Sequence, residues 1–291
     1  MAAQDSLRGI ALIAAAYLLF SGLDATAKVL GRSYPISQVI WARFAVHAVV
    51  AALLIAPYLR ERPWRSARPG LQVLRGLLLV AATATNFTAL RYLQLAETAS
   101  IYFSAPLIVA ALSVPMLGER VGPRRWAAIA AGFAGILIVI RPGLGLVHWA
   151  AGIACLTALA TALYQILSRK LASADGAHAT QFYTAMLAAG ATAPLAALEW
   201  TPPDARGWAL MALLGVLGGI GHWLLTVAHA CAPAPVLAPF NYTQIVWMPL
   251  LGYLVFADVP SPWTLAGGAV VAVSGLYLLH RERAAKRPAI P

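Results

Sequence analysis

Charge is scarce in this chain. Aspartate, glutamate, lysine and arginine make up 11% of its 291 residues, against about 25% in an ordinary soluble domain. Acids are the rarer kind, 10 against 21 bases. Cysteine is nearly missing: Cys155 and Cys231 lie in or at the edge of apolar runs, where small packing thiols are commoner than a disulfide or metal pair. No Gly-Lys dipeptide occurs, which excludes a Walker-type phosphate loop, and neither His-Glu-x-x-His nor Gly-x-Ser-x-Gly is present. No metal, no cofactor and no enzyme activity are expected. The net charge of +11 does not imply nucleic acid, because the basic residues sit in short loops between apolar runs, as cytoplasmic loops of membrane proteins do.

What the chain has instead is hydrophobic length: 61% of its residues are hydrophobic. They form ten runs at roughly 9–31, 36–58, 71–91, 96–117, 124–140, 149–168, 178–198, 207–230, 235–256 and 262–280. A hydrocarbon core of about 30 Å needs ~20 helical residues, and lipid forces each crossing segment to satisfy its own backbone as a helix. The fold class is therefore an all-α integral membrane protein with ten transmembrane helices and the lipid bilayer as its surroundings. The first run reaches Leu30, too long for a signal-peptide core. With both termini cytoplasmic, Arg60, Arg62, Arg65, Arg68, Arg120, Arg124, Arg125, Arg169, Lys170 and the basic tail fall inside, leaving few cations outside. Trp64, Trp126, Trp149, Trp200, Trp208 and Trp263 lie near span ends as interfacial anchors.

The chain repeats itself. Leu117-Gly118-Glu119 closes span four, and Phe256-Ala257-Asp258 closes span nine at an offset of 139; Gly76 and Gly215 share that offset, while Gly135 and Arg141 match Gly275 and Arg281 at 140. The halves are 1–143 and 144–291. Five spans is an odd number, so the halves must be inverted, the arrangement of secondary transporters with a midplane site.

Leu23-Asp24-Ala25-Thr26-Ala27-Lys28, Trp41-Ala42-Arg43-Phe44, Leu117-Gly118-Glu119-Arg120-Val121 and Leu163-Tyr164-Gln165-Ile166-Leu167-Ser168-Arg169-Lys170 together resemble the drug/metabolite transporter superfamily, in its ten-helix EamA-type branch. Within it the chain is most similar to YddG-type exporters of aromatic and neutral amino acids. The resemblance implies a bacterial inner-membrane exporter with a cavity between its halves, taking an amino acid or similar small metabolite. The second half departs from the pattern, with Ala257-Asp258 in place of Gly-Glu.

Asp24 and Arg43 fall at one depth if spans one and two form a hairpin, and Asp24 is the only acid well inside a span. Buried charges in a membrane are paired or functional. They would form a structural salt bridge, or Arg43 would receive a substrate carboxylate while Lys28 competes for Asp24, with His47 one turn from Arg43 extending the network. A carboxylate held by a cation is a poor proton carrier, which points to uncoupled or weakly coupled transport of a neutral or zwitterionic solute, with His222 and His229 as the remaining proton route. Arg43 and Lys28 are the only deep cations expected, too few for phosphorylated sugars. Polar and aromatic residues deep in spans are the substrate-binding candidates: Tyr17, Asn86, Tyr102, Ser104, Tyr164, Gln165, Tyr183, His222, Trp223, Asn241, Tyr242 and Gln244, since polar groups in lipid must bond inward. Each could equally make an interhelical bond. Pro106, Pro115, Pro239 and Pro249 interrupt spans four and nine and are hinge candidates for alternating access. Gly215-x-x-x-Gly219 and the small faces Ala128/Gly132 and Ala131/Gly135 permit close helix contact, within one chain or in a homodimer. The rival reading is an intramembrane enzyme acting on lipid or a lipid-linked substrate, built on His222, His229 or Asp24.

Overall fold

A computed structural model gives the structure of residues 2–57, 64–118, 121–141, 149–171, 174–232 and 234–285. The chain runs through α1 (Ala2–Leu30), α2 (Ile36–Ile55), α3 (Pro69–Tyr92), α4 (Leu95–Tyr102), α5 (Ala105–Leu117), α6 (Pro123–Ile140), α7 (Trp149–Leu171), α8 (Ala177–Leu198), α9 (Ala205–Cys231), α10 (Ala234–Leu237), a 3₁₀ segment (Ala238–Thr243), α11 (Gln244–Phe256) and α12 (Pro262–Ala285). No strand occurs among the described residues. Eight segments are long and apolar enough to cross a membrane, with α4 and α5 together making one. The other two of the ten expected spans are α8, 22 residues rich in polar groups, and the broken run α10–3₁₀–α11. Glu119, Arg120 and the boundary at 143/144 lie outside the described residues.

The helices pack as an approximate two-fold requires. α1 lies on α9 as α7 lies on α3, while α2 packs on α8, α6 on α12 and α4 on α11. The crossing of α6 and α12 fixes their sense. Gly132 faces Ser274, while Gly135 faces Val271 and the carbonyl of Gly267. Numbers rise along one helix as they fall along the other, so these repeat-equivalent helices run antiparallel.

Spans four and nine break at equivalent places. Ser104 starts α5 and Thr243 starts α11, 139 residues on. The residues before them, Phe103 and Tyr242, stack on each other with ring centroids 5.0 Å apart and planes at 25°. At the far ends Gly118 (φ 69°) and Ala257 (φ 56°) adopt the same left-handed cap. Glycine takes that conformation freely; alanine does so at a cost. The prolines do not share this symmetry. Pro106 and Pro239 sit in the first turns of α5 and the 3₁₀ segment, where a missing N–H is harmless, and Pro115 and Pro249 lie inside α5 and α11. What the halves share is the break itself.

The small-residue faces are used within the chain. Gly215 and Gly219 receive Val46 and Val50 of α2, and Gly132 receives Leu107 and Ser274. Of the two uses considered for these faces, contact within one chain is the one seen, and they lend no support to a homodimer. All six anchor tryptophans are exposed.

Candidate functional site

A cavity of about 690 Å³ lies between the two halves, walled by α1, α2, α3, α4, α7, α8, α9 and the broken ninth span. It is one-sided. At the end where α1 begins and α12 finishes, its lining reaches Arg169 and Asp175 beside the α7–α8 turn and the exposed His229 of α9. At the opposite end the lining stops at Asp24, Phe87 and Thr98.

One turn beyond Asp24 a latch closes the molecule. Lys28 Nζ donates to the carbonyl of Leu93 at 2.7 Å and pairs with Asp258 Oδ2 at 3.1 Å, with side chains 9% and 24% exposed. The ring of Phe256 lies 5.0 Å from Lys28 Nζ and 4.9 Å from the Arg32 guanidinium. The latch ties α1 of the first half to the loop after α11 of the second.

Toward the closed end of the cavity, α3 brings two buried charges together through neutral partners. Asn86 Nδ2 donates to Asp24 Oδ1 at 2.9 Å. Arg43 Nη1 donates to Thr83 Oγ1, its guanidinium lies 4.6 Å from the ring centroid of Phe44 and 5.8 Å from that of Phe87, and its Nε is buried without a hydrogen bond. Asp24 and Arg43 make no ion pair, and Lys28 pairs with Asp258 instead of Asp24. The expected salt bridge is thus replaced by two separately held charges. Behind Arg43, His47 is fully buried and stacks on His222, with ring centroids 5.3 Å apart and planes at 19°; its Nε2 is 3.4 Å from Gln181 Nε2.

Nearer the open end Arg75 of α3 is a further deep cation that the sequence reading missed. It is 2% exposed. It donates to Tyr164 Oη at 3.1 Å, to the Thr180 carbonyl at 3.0 Å and to Thr184 Oγ1, and its Nε has no partner. The signal was present, because Arg75 falls inside the third apolar run.

Of the sequence candidates, Tyr17, Asn86, Tyr102, Tyr164, Gln165, His222, Asn241 and Gln244 line this cavity together with Asp24 and Arg43. Asn241 Oδ1 is buried there without a partner. Ser104, Tyr183, Trp223 and Tyr242 do not line it. Ser104 hydroxyl bonds the Ile101 carbonyl at 2.6 Å, Tyr183 hydroxyl bonds the Trp64 carbonyl at 3.1 Å, and Tyr242 is taken up by its stack on Phe103. Thr83, Thr157, Thr161 and Thr180 also line the cavity; threonine is too common in membrane helices to have flagged them. The groups named for an enzyme are dispersed: Asp24 is held by Asn86, His222 stacks on His47, and His229 meets its own helix at the Leu225 carbonyl, 2.8 Å away. No cluster of metal-ligating side chains occurs among the described residues.

Outside the membrane-crossing segments two carboxylates fasten the halves at opposite ends. Burial pushes the Asp175 carboxyl up, but hydrogen bonds from Ser66 (2.5 Å), Gln72 (2.7 Å) and the Ala67 N–H (2.7 Å) outweigh it and hold the group below its usual range. Asp204 is held low by the Gly207 N–H it caps (2.7 Å) and by the Tyr34 hydroxyl (3.0 Å).

Residues 7–141 and 148–281 each match the EamA-like transporter family. The S-adenosylmethionine uptake transporter of Rickettsia bellii is 27% identical over 91% of this chain and 91% of its own. The riboflavin transporter of Rhizobium johnstonii is 27% identical over 78% of this chain and 74% of its own. The pseudopaline exporter of Pseudomonas aeruginosa is 25% identical over 94% and 97%. A solved crystal structure superposes with a TM-score of 0.67 at 20% identity, covering 96% of this chain and 99% of that one, a likeness of fold. These relatives carry chemically different solutes, and none of these three is an amino-acid exporter of the YddG type by name.

Proposed function

Because the chain belongs to the EamA-like transporter family, as matches over both halves require, we propose that it is a multi-pass inner-membrane secondary transporter that moves neutral or aromatic amino acids, or similar zwitterionic metabolites, by alternating access. The observation that carries this reading is the one-sided cavity, open at the end where α1 begins and α12 finishes and closed by the Lys28–Asp258 latch at the other. In this reading the termini are cytoplasmic and the cavity is loaded from the cytoplasm. The two inverted halves exchange roles when the cavity opens on the other side, with the breaks at Ser104 and Thr243 taking up the bending. The aromatic rings of Tyr17, Phe20, Phe87, Tyr102 and Tyr164 on the cavity wall suit an apolar or aromatic side chain.

Transport is uncoupled or weakly coupled in this reading; Asp24, the carboxylate deep in the cavity, lies there without the cation partner expected of it, so a flux that changes when a proton gradient is imposed on the liposomes would overturn this part of the reading. Net direction then follows the solute gradient, with export when the cytoplasmic solute is in excess. The test is flux of radiolabelled L-phenylalanine and other neutral amino acids, S-adenosylmethionine and riboflavin into liposomes holding the purified protein. Flux of a neutral amino acid or S-adenosylmethionine above empty vesicles supports the reading; flux of riboflavin alone keeps the transporter and overturns its substrate class, and none for any of them counts against it altogether.

A further inference from the structure

We infer that Asp24 with Asn86 and Arg43 with Thr83 form a two-ended head-group site for α-amino acids, taking the ammonium at Asp24 and the carboxylate at Arg43. The inference rests on the transporter reading above and names the chemistry of its site.

Two buried charges make no direct ion pair with each other. Asp24 is 8% exposed and Arg43 6%. Removing an ion from water is costly, and a chain that buries opposite charges ordinarily brings them into contact. Here they line one cavity without pairing. Each is fixed by one neutral side chain from α3: Asn86 on Asp24, Thr83 on Arg43. Asn86 and Thr83 are three residues apart on that helix, so they project from one face at adjacent levels. The residues that hold the charges therefore also set the gap between them.

Both charges keep unused bonding capacity. The second carboxylate oxygen of Asp24 receives no hydrogen bond among the described residues. Arg43 Nη2 makes no hydrogen bond among the described residues, while its Nε is buried against Gly218 of α9; Phe44 and Phe87 lie beside the guanidinium where they supply no acceptor oxygen. A single cation would leave Arg43 unmet, and a single anion would leave Asp24 unmet. An α-amino acid presents both charges on one carbon and satisfies both ends without bringing net charge into the bilayer. Charge-assisted hydrogen bonds at both ends are the strong kind.

The site also orients the solute. Latch and helix ends block the far side, so the side chain must point toward the open end, past Tyr102 and Tyr164. There Arg75 and the hydroxyls of Thr161 and Ser168 can meet polar groups at its tip.

The test uses the whole purified protein and a set of three probes of nearly one shape: L-phenylalanine, 2-phenylethylamine (the carboxylate removed) and 3-phenylpropionate (the ammonium removed). Thermal-shift titration of the unaltered protein is expected to show phenylalanine binding at least tenfold tighter than either fragment. Arg43→Gln should abolish the advantage over the amine, and Asp24→Asn the advantage over the acid, each leaving the opposite comparison in place. Because the probe series is first read on the unaltered protein, poor folding of a variant does not spoil it. Fragments that bind as well as phenylalanine overturn the inference. So does failure of phenylalanine, methionine and glutamate alike to bind while the liposomes carry riboflavin, which has no α-amino-acid head group. That last result leaves the transporter reading standing; absence of flux for every solute removes the reading as well.

Discussion

Breaking the Lys28–Asp258 latch should open the closed end of the cavity. In the structure Lys28 makes one bond to a backbone carbonyl and one to Asp258, and it spans the two halves. Deleting one partner of a fully buried ion pair costs ~3–5 kcal/mol, while exposed pairs contribute ~0–1 kcal/mol. With Lys28 9% and Asp258 24% exposed, an intermediate value of about 2 kcal/mol is reasonable. Taken as contacts of the closed conformation alone, they place the loss on one conformation and shift the balance by a factor of about 30. Asp258→Asn keeps the shape and removes the charge. The reporter is Thr98→Cys on the closed-side wall, in a background where Cys155 and Cys231 are alanine. Reaction with an impermeant maleimide applied from the side that the latch faces should rise at least tenfold in Asp258→Asn. The charge-swapped pair Lys28→Asp with Asp258→Lys should bring it part of the way back. A rate within twofold of the parent for Asp258→Asn would refute the reasoning, because the pair would then be incidental to closure.

Three further outcomes follow from the packing and the loops. Ala257 holds a left-handed conformation that its equivalent Gly118 takes without strain, so Ala257→Gly should stabilise the protein by about 1 kcal/mol, read as a higher midpoint in thermal denaturation in detergent. Gly135→Leu should destabilise it strongly, by ~3 kcal/mol or more, because even a Cβ there would lie 2.9 Å from both the Gly267 carbonyl and a Val271 methyl; loss of monodisperse protein on size exclusion is the readout. Asp175 is held below its usual range by hydrogen bonds that outweigh its burial. Its contribution is therefore fully present above the unfolded carboxylate pKa and lost as pH falls through the lower folded value. The melting difference between the parent and Asp175→Asn should be constant near neutrality and vanish in acid; a difference that grows with acidity would contradict the assignment.

The architecture was readable because its signals are coarse. Run length specifies crossing helices, and an odd number of spans per copy specifies inversion. The register of 139 reappears in the caps at Gly118 and Ala257 and in the stack of Phe103 on Tyr242, because turns impose demands on backbone that sequence displays. The ninth span's 3₁₀ segment was less visible: its prolines announced an interruption but not a six-residue one. Site residues were harder. A helix that is apolar on every face carries little phase information, so polarity within a span could not separate Tyr164, which faces the cavity, from Tyr183, which reaches the Trp64 carbonyl at the membrane edge. The Asp24–Arg43 pairing was inferred from shared depth alone; what separates the two charges is Asn86 and Thr83 on a third helix, and sequence distance within one hairpin says nothing about that helix. Arg75 went unnoticed because its position near the start of a span reads like a loop-edge charge, whereas α3 begins at Pro69 and carries it two turns inward.

Counterflow is the most direct measurement of the central claim that one chamber is exposed to the two sides in turn. Liposomes holding the protein are loaded with unlabelled L-phenylalanine and diluted into a trace of the labelled amino acid. An alternating carrier predicts that label accumulates transiently above its outside concentration and then decays. Label that merely equilibrates, without overshoot, would contradict the account and indicate an open pore or no carrier for this solute.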